Sequence, residues 1–484
     1  MTPIEGKVPT RIAFFHGLGS IAYGVKDNGF STFLLLFYNQ VLGMDARLVG
    51  AALALALLLD AFVDPLIGHL SDRTYSRWGR RLPWLYLAPV PLAIVWYLMW
   101  AVEGPPSFWQ LVLTAMAVRA LVSCCEVPSV ALVPELTRDY DERSRLMRFR
   151  YLFGWGGGLF IMTLGYTVFM GDDMLSAQGY RQYGVAGSLL MLGAVWVSAL
   201  GQHRLAAHPP LERPPAQSIG AAFRDIIECL SHPAFLVLMA AGALAYTSQG
   251  ITFTISNYLY LFVWRIPETT LNFGPLGSLN ALKFYPFFLF LSVVVTFFSV
   301  GPMHRRWGKR TTGVVTAVLG MLFWVLPFAL RHFGLWWTEG SLPSTLLLFG
   351  FIFASNVLSV AAIVSASSMV ADVVEASEEQ TGRRSEGTFF AGNFFMQKCA
   401  TGLGIFITGL LVKYAGMPDK AVPGKVAPEV IDSLALYYTL IVFVFAIGIA
   451  LILRRFPITR ADHDARLAAL AGARVSIDAE GQHP

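Results

Sequence analysis

Charge is what this sequence has least of. Asp, Glu, Lys and Arg make up 14% of its 484 residues, and hydrophobic residues 55%. A soluble domain carries roughly 25% charged residues, so a water-facing surface of ordinary composition is excluded. Cysteine is scarce too. Cys124 and Cys125 are neighbours in one apolar run, Cys229 and Cys399 stand alone, and no CxxC or Cys/His spacing points to a metal. These four read as small packing residues. No Asn-x-Ser/Thr acceptor occurs, and MTPIEGKVPTRIAFF has no short apolar core ending in a small-residue cleavage site. An HExxH motif, a phosphate-binding loop and a GxSxG with suitable partners are all missing. The pattern argues against a membrane enzyme and against an ATP-driven pump.

What is present is a series of apolar runs separated by polar loops. They fall near 13–41, 48–70, 82–103, 108–135, 149–171, 183–203, 234–264, 281–303, 312–331, 343–371, 388–415 and 433–453. Most exceed the roughly 20 residues that cross a bilayer as a helix. The expected fold is therefore an all-α membrane protein of twelve transmembrane helices.

The net charge of +5 is explained by where the basic residues sit. The N-terminus, alternate loops and the tail hold most of the Lys and Arg, among them Arg73, Arg77, Arg80, Arg81, Arg305, Arg306, Lys309 and Arg310. The opposite loops hold only Arg47, Arg181, Arg265, Arg331, Lys413, Lys420 and Lys425. The positive-inside rule then places both termini in the cytoplasm of a multi-pass plasma-membrane protein, the bacterial inner membrane. Nucleic acid is not needed as a partner.

Trp78-Gly79-Arg80-Arg81 recurs as Trp307-Gly308-Lys309-Arg310, half a chain later and again after the second helix of its half. This predicts two six-helix bundles of the same orientation: residues 1–203 and 234–455. Between them, 204–233 reads as a cytoplasmic linker with an amphipathic surface helix, and 456–484 as a cytoplasmic tail.

Ionisable groups at mid-helix cost about 2.5–3.5 kcal/mol each on insertion scales, so they are expected to face a cavity or a partner. Lys26 and Asp27 lie in the first run, near Tyr23 and between glycines. Asp60 and Asp64 are four apart in the second, hence on one face, with Asp60 about 18 Å along its span. Arg119, Ser123 and Glu126 share a face of the fourth; Arg150 opens the fifth, Lys283 the eighth, and Lys398 sits within the eleventh. Two carboxylates one turn apart can hold a sodium ion or share a proton. A static ion-pair network is the competing reading, as packing is for Trp155. Tyr246, Gln249, Asn257, Asn356, Asn393 and Gln397 are either helix–helix glue or solute contacts.

At these residues the sequence resembles a known family. Asp60-Ala61-Phe62-Val63-Asp64-Pro65, then Ser71-Asp72-Arg73 and Arg77-Trp78-Gly79-Arg80-Arg81, is similar to the glycoside–pentoside–hexuronide:cation symporters (melibiose permease-like) of the major facilitator superfamily. Gly24-Val25-Lys26-Asp27, Val127-Pro128 through Val133-Pro134, and Ala371-Asp372-Val373-Val374-Glu375 extend the match. The resemblance implies a cation site at Asp60, Asp64, Ser123 and Glu126. It implies solute contacts from Tyr23, Lys26, Asp27, Glu126, Arg150, Trp155 and Lys398, with Arg119 and Lys398 in a coupling charge network. Three departures stand out. Val63 lacks the side-chain oxygen of the polar residue found there in the melibiose permease, Glu126 is one methylene longer than the Asp expected, and Val130 replaces an aromatic. Arg119 is an extra buried cation.

The function expected is a monomeric secondary symporter without a cofactor, coupling sodium or protons to uptake of a small organic solute, a sugar or glycoside. A carrier of lysolipids or other amphiphiles is the alternative, and a non-transporting membrane sensor is the alternative of another class.

Overall fold

A computed structural model describes residues 7–137, 139–171, 173–206, 233–272, 278–381 and 386–455. Of the expected linker 204–233, residues 207–232 with the surface helix lie outside these residues, as do the loop 382–385 and the tail 456–484, while 204–206 continue the helix Ala177–Ala206. Eleven described helices are long and apolar enough to cross a bilayer. Numbered as spans two to twelve, they run Ala46–Asp72, Leu82–Trp100, Phe108–Leu136, Asp141–Phe169, Ala177–Ala206, Phe235–Val263, Ala281–Trp307, Lys309–His332, Leu342–Val370, Gly392–Tyr414 and Pro428–Leu453.

The first expected span differs from its prediction as one continuous helix. It breaks into Thr10–Leu18 and Ile21–Asn28, then continues through π-helical turns at Gly29–Phe33 and Phe37–Val41. Its glycines explain the shape. A Cβ on Gly24 would sit 1.9 Å from the carbonyl oxygen of Gly154, and one on Gly17 2.8 Å from that of Phe149. The run therefore lies backbone against backbone on span five, the small-residue packing that membranes favour where no hydrophobic drive separates helix from lipid.

Local chemistry sets the ends of the helices. Asp45 caps span two by accepting from the Arg47 N–H at 2.9 Å. Ser107 and Gln110 form a reciprocal capping box at the start of span four. Pro65 and Pro128 sit inside spans two and four without ending them, each removing one ladder hydrogen bond.

The N-terminal half is cored by aromatics. Phe33, Trp96, Trp100, Tyr180 and Tyr183 are fully buried. The Trp100 and Tyr180 rings stack at 5.8 Å and 5°, and Tyr183 meets Trp100 edge-on at 5.0 Å. Offset and edge contacts of this kind add to burial.

The two halves meet along spans two and eleven, where a Cβ on Gly409 would fall 2.4 Å from the Ala46 carbonyl oxygen and one on Gly50 3.1 Å from the Gly409 Cα. Polar bonds between the halves gather at this end. Asn39 donates to Asp419 at 2.7 Å. Gln40 donates to the Pro418 carbonyl at 3.1 Å and accepts from the Ala421 N–H at 2.8 Å. Tyr166 donates to Asn257 at 2.6 Å, and Asn257 donates to the Thr32 carbonyl at 2.8 Å. Further along the same pair of spans, Phe62 of span two meets Phe395 of span eleven edge-on, while Leu66, Leu70 and Phe394 are exposed on the surface of the described residues. The halves are closed at the end whose loops hold few cations, and spans two and eleven remain in contact as far as the Phe62–Phe395 ring pair at 5.4 Å.

Asp45 belongs to the closure, because Lys413 of span eleven reaches it at 2.9 Å. Its carboxyl is held below the usual carboxylate range, chiefly by the side-chain hydrogen bond from Arg47 and further by Lys413, against partial burial. A lowered folded value means that this contribution is complete above the unfolded value of about 3.9 and fades as acid carries the group through its lowered one. Melting curves recorded from neutral to acid pH are expected to show that fade in the native chain. Asp45→Asn should melt lower at neutral pH and show a flatter acid limb.

Candidate functional site

Span two carries two carboxylates one turn apart, and span four, which packs beside it, presents a hydroxyl and a guanidinium to them. Asp60 is 3% exposed and its Oδ2 receives Arg119 Nη1 at 3.3 Å. Ser123 donates to Asp64 Oδ1 at 2.6 Å and lies 3.3 Å from Asp60 Oδ1. The fifth member comes from the other half of the chain. Lys398 on span eleven places Nζ 2.9 Å from Asp60 and 2.5 Å from Asp64. Its ammonium thus bridges the two carboxylates. Two negative and two positive groups make the cluster neutral, which is how charge survives in low dielectric. Asp64 is 35% exposed, so the cluster is open on that flank.

A second pair lies one turn further along span four. Arg150 donates to Glu126 at 2.5 Å and to Ser129 at 2.5 Å. Glu126, expected in both the cation and the solute set, is bonded here with Arg150 and, among the described residues, makes no hydrogen bond or ion pair with Asp60 or Asp64. It lies almost one turn beyond Ser123 on the same face of span four, where Arg150 takes it as a partner. The third group is in the first run. Lys26 is buried, stands 3.8 Å from Asp27, and lies under the Tyr23 ring at 4.2 Å. Asp27 is 58% exposed. Tyr23 and Trp155 are exposed side chains.

Two contributors were missed in the sequence. Phe30 lies 4.5 Å under the Arg119 guanidinium, a cation–π contact between the first run and span four. Ser129 is three residues from Glu126 and could have been found by helical spacing. Asn257, weighed between glue and solute, ties the halves together through Tyr166 and Thr32. Asn356 donates to Ser292 at 2.5 Å, a link inside the C-terminal half.

A charged cluster shared by two helical halves, beside exposed polar groups, defines a membrane transporter of the major facilitator fold. The family model described as MFS/sugar transport protein matches residues 15–460, and the chain belongs to that family. An uncharacterized symporter of Synechocystis is 29% identical, with 94% of this chain and 95% of the relative covered. The isoprimeverose transporter of Lactiplantibacillus pentosus is 26% identical over 85% of this chain and 82% of its own length. A putative glycoside/cation symporter of Escherichia coli is 23% identical, covering 94% and 93%. Among solved structures, the nucleoside transporter NupG superposes with a TM-score of 0.63 at 14% identity, covering 92% of this chain and 99% of that one. That likeness concerns the fold.

Proposed function

We propose that this chain is a monomeric symporter of the bacterial inner membrane, with both termini in the cytoplasm, that couples a cation gradient to uptake of a small sugar or glycoside. The observation that carries the reading is the Lys398 bridge. Its ammonium occupies the point between Asp60 and Asp64 where a coupling cation would sit, and it belongs to the half that must move against span two. In the form described here, closed at the cation-poor end, the internal lysine stands in for the ion. When the halves rock the other way, Lys398 withdraws and the carboxylates are left to take a cation from outside. Ion and lysine compete for one place, so the state that faces the cytoplasm is the state that releases the ion.

The solute is met by Asp27, Glu126 and Arg150, with Tyr23, Lys26 and Trp155 around them. Carboxylate and guanidinium pairs bind vicinal hydroxyls through several charge-assisted hydrogen bonds at once. The names of two relatives, an isoprimeverose transporter and a putative glycoside/cation symporter, agree with that chemistry.

The test is accumulation. Proteoliposomes holding the purified chain are expected to concentrate a glycoside from a mixed panel when a cation gradient is imposed, and to exchange it without one. Binding with no exchange would leave a sensor in place of a carrier.

A further inference from the structure

We propose that Arg119 is a built-in cation that excludes sodium from the coupling site, so that transport by this chain proceeds without a sodium gradient. This rests on the assignment of Asp60 and Asp64 as that site and names the residue that sets its ion selectivity.

The two cations of the cluster differ in what can remove them. Lys398 sits on span eleven and leaves Asp60 when the halves rock. Arg119 sits on span four, in the same half as Asp60, 3.3 Å from its carboxylate and 4% exposed. It travels with Asp60 through every state. Nor can a proton be taken from it, since a guanidinium stays charged throughout the accessible pH range. Phe30 beneath it at 4.5 Å fixes the plane of the group. Asp60 is therefore neutralised permanently.

What remains for an incoming ion is Asp64 and Ser123. Sodium is a hard cation that needs several oxygens to replace its water. Val63, between the two aspartates, has no side-chain oxygen to give, and Asp60 is engaged. A sodium ion seated on Asp64 would also lie close to the fixed guanidinium, with Lys26 a third cation in electrostatic reach of Asp60. Like charges that close in a poorly hydrated site repel strongly, and the expected loss of sodium affinity is more than about a hundredfold.

A purely bracing arginine is expected to have its donors filled. The buried Nε of Arg119 has no partner among the described residues. The side chain is kept in this place with one donor unmet, which fits a fixed charge better than a strut.

The experiment compares melting temperatures of the purified full chain in about 100 mM sodium chloride and in choline chloride of equal ionic strength. The native chain and Arg119→Lys are expected to show no difference. Arg119→Gln is expected to gain a sodium-specific rise of about 3 °C, and Asp64→Asn added to it should abolish that gain. A sodium-specific rise in the native chain overturns the proposal, as does a folded Arg119→Gln that gains none. Should Arg119→Gln not fold, the native chain and Arg119→Lys decide alone: indifference in both supports the assignment and a rise in either refutes it. Binding is read here without transport, so a failure of gradient-driven uptake would strike the symport reading and leave this result standing.

Discussion

Asp60→Asn is expected to reduce ion-driven accumulation by about a hundredfold while leaving solute exchange measurable. The amide keeps the shape of the carboxyl and removes its charge from a site that is 3% exposed. Arg119 at 3.3 Å and Lys398 at 2.9 Å would then share Asp64 alone, and the cluster would carry a net positive charge. Breaking a buried pair from one side costs about 3–5 kcal/mol, which is a hundredfold or more in an equilibrium constant at about 1.4 kcal/mol per decade. That cost falls on the cation site, since any incoming positive ion now meets an excess of its own sign. Asp27, Glu126 and Arg150 are untouched, so the solute should still bind and exchange. Uptake into proteoliposomes, with and without an imposed gradient, separates the two. Undiminished accumulation in the variant would remove Asp60 from the coupling site.

The second large effect is expected from Gly409→Leu. A Cβ there would lie 2.4 Å from the Ala46 carbonyl oxygen, a distance that backbone cannot absorb without the helices parting. Spans two and eleven belong to different halves, so the strain is relieved by opening the interface rather than by unfolding either bundle. The bonds beside it, from Asn39 to Asp419 and from the Ala421 N–H to Gln40, would be lost with the contact. The population should move toward the form open at the cation-poor end, and transport should fall about tenfold or more, because a state that cannot close cannot cycle. Spin labels on Arg47→Cys and Lys420→Cys, both at that end, should report a separation several ångströms wider than in the native chain. An unchanged distance with full transport would show that the glycine contact is incidental.

Much of this was legible in the sequence. Spacing alone put Asp60 beside Asp64 on one face and aligned Arg119, Ser123 and Glu126 on another, because helical periodicity is a local property. The eleven long spans followed from apolar length. Family likeness brought Lys398 to the site, whereas its place between the carboxylates depends on how two halves dock. Docking also set the partners of Glu126, the Phe30 contact and the Asn39–Asp419 bond. The broken first run was hidden for another reason. Its glycines mark close approach, but only the backbone they press against, at Phe149 and Gly154, shows where the helix must give way.

The aromatic core of the N-terminal half has a mechanical consequence. Interlocked rings such as Trp100, Tyr180 and Tyr183 resist shear, since each can slide only by losing contact with two others. That half is built as a stator, holding the two aspartates and Arg119 in fixed register. On the mechanism proposed above, rocking would carry span eleven toward and away from it, with Lys398 arriving on one stroke and leaving on the other.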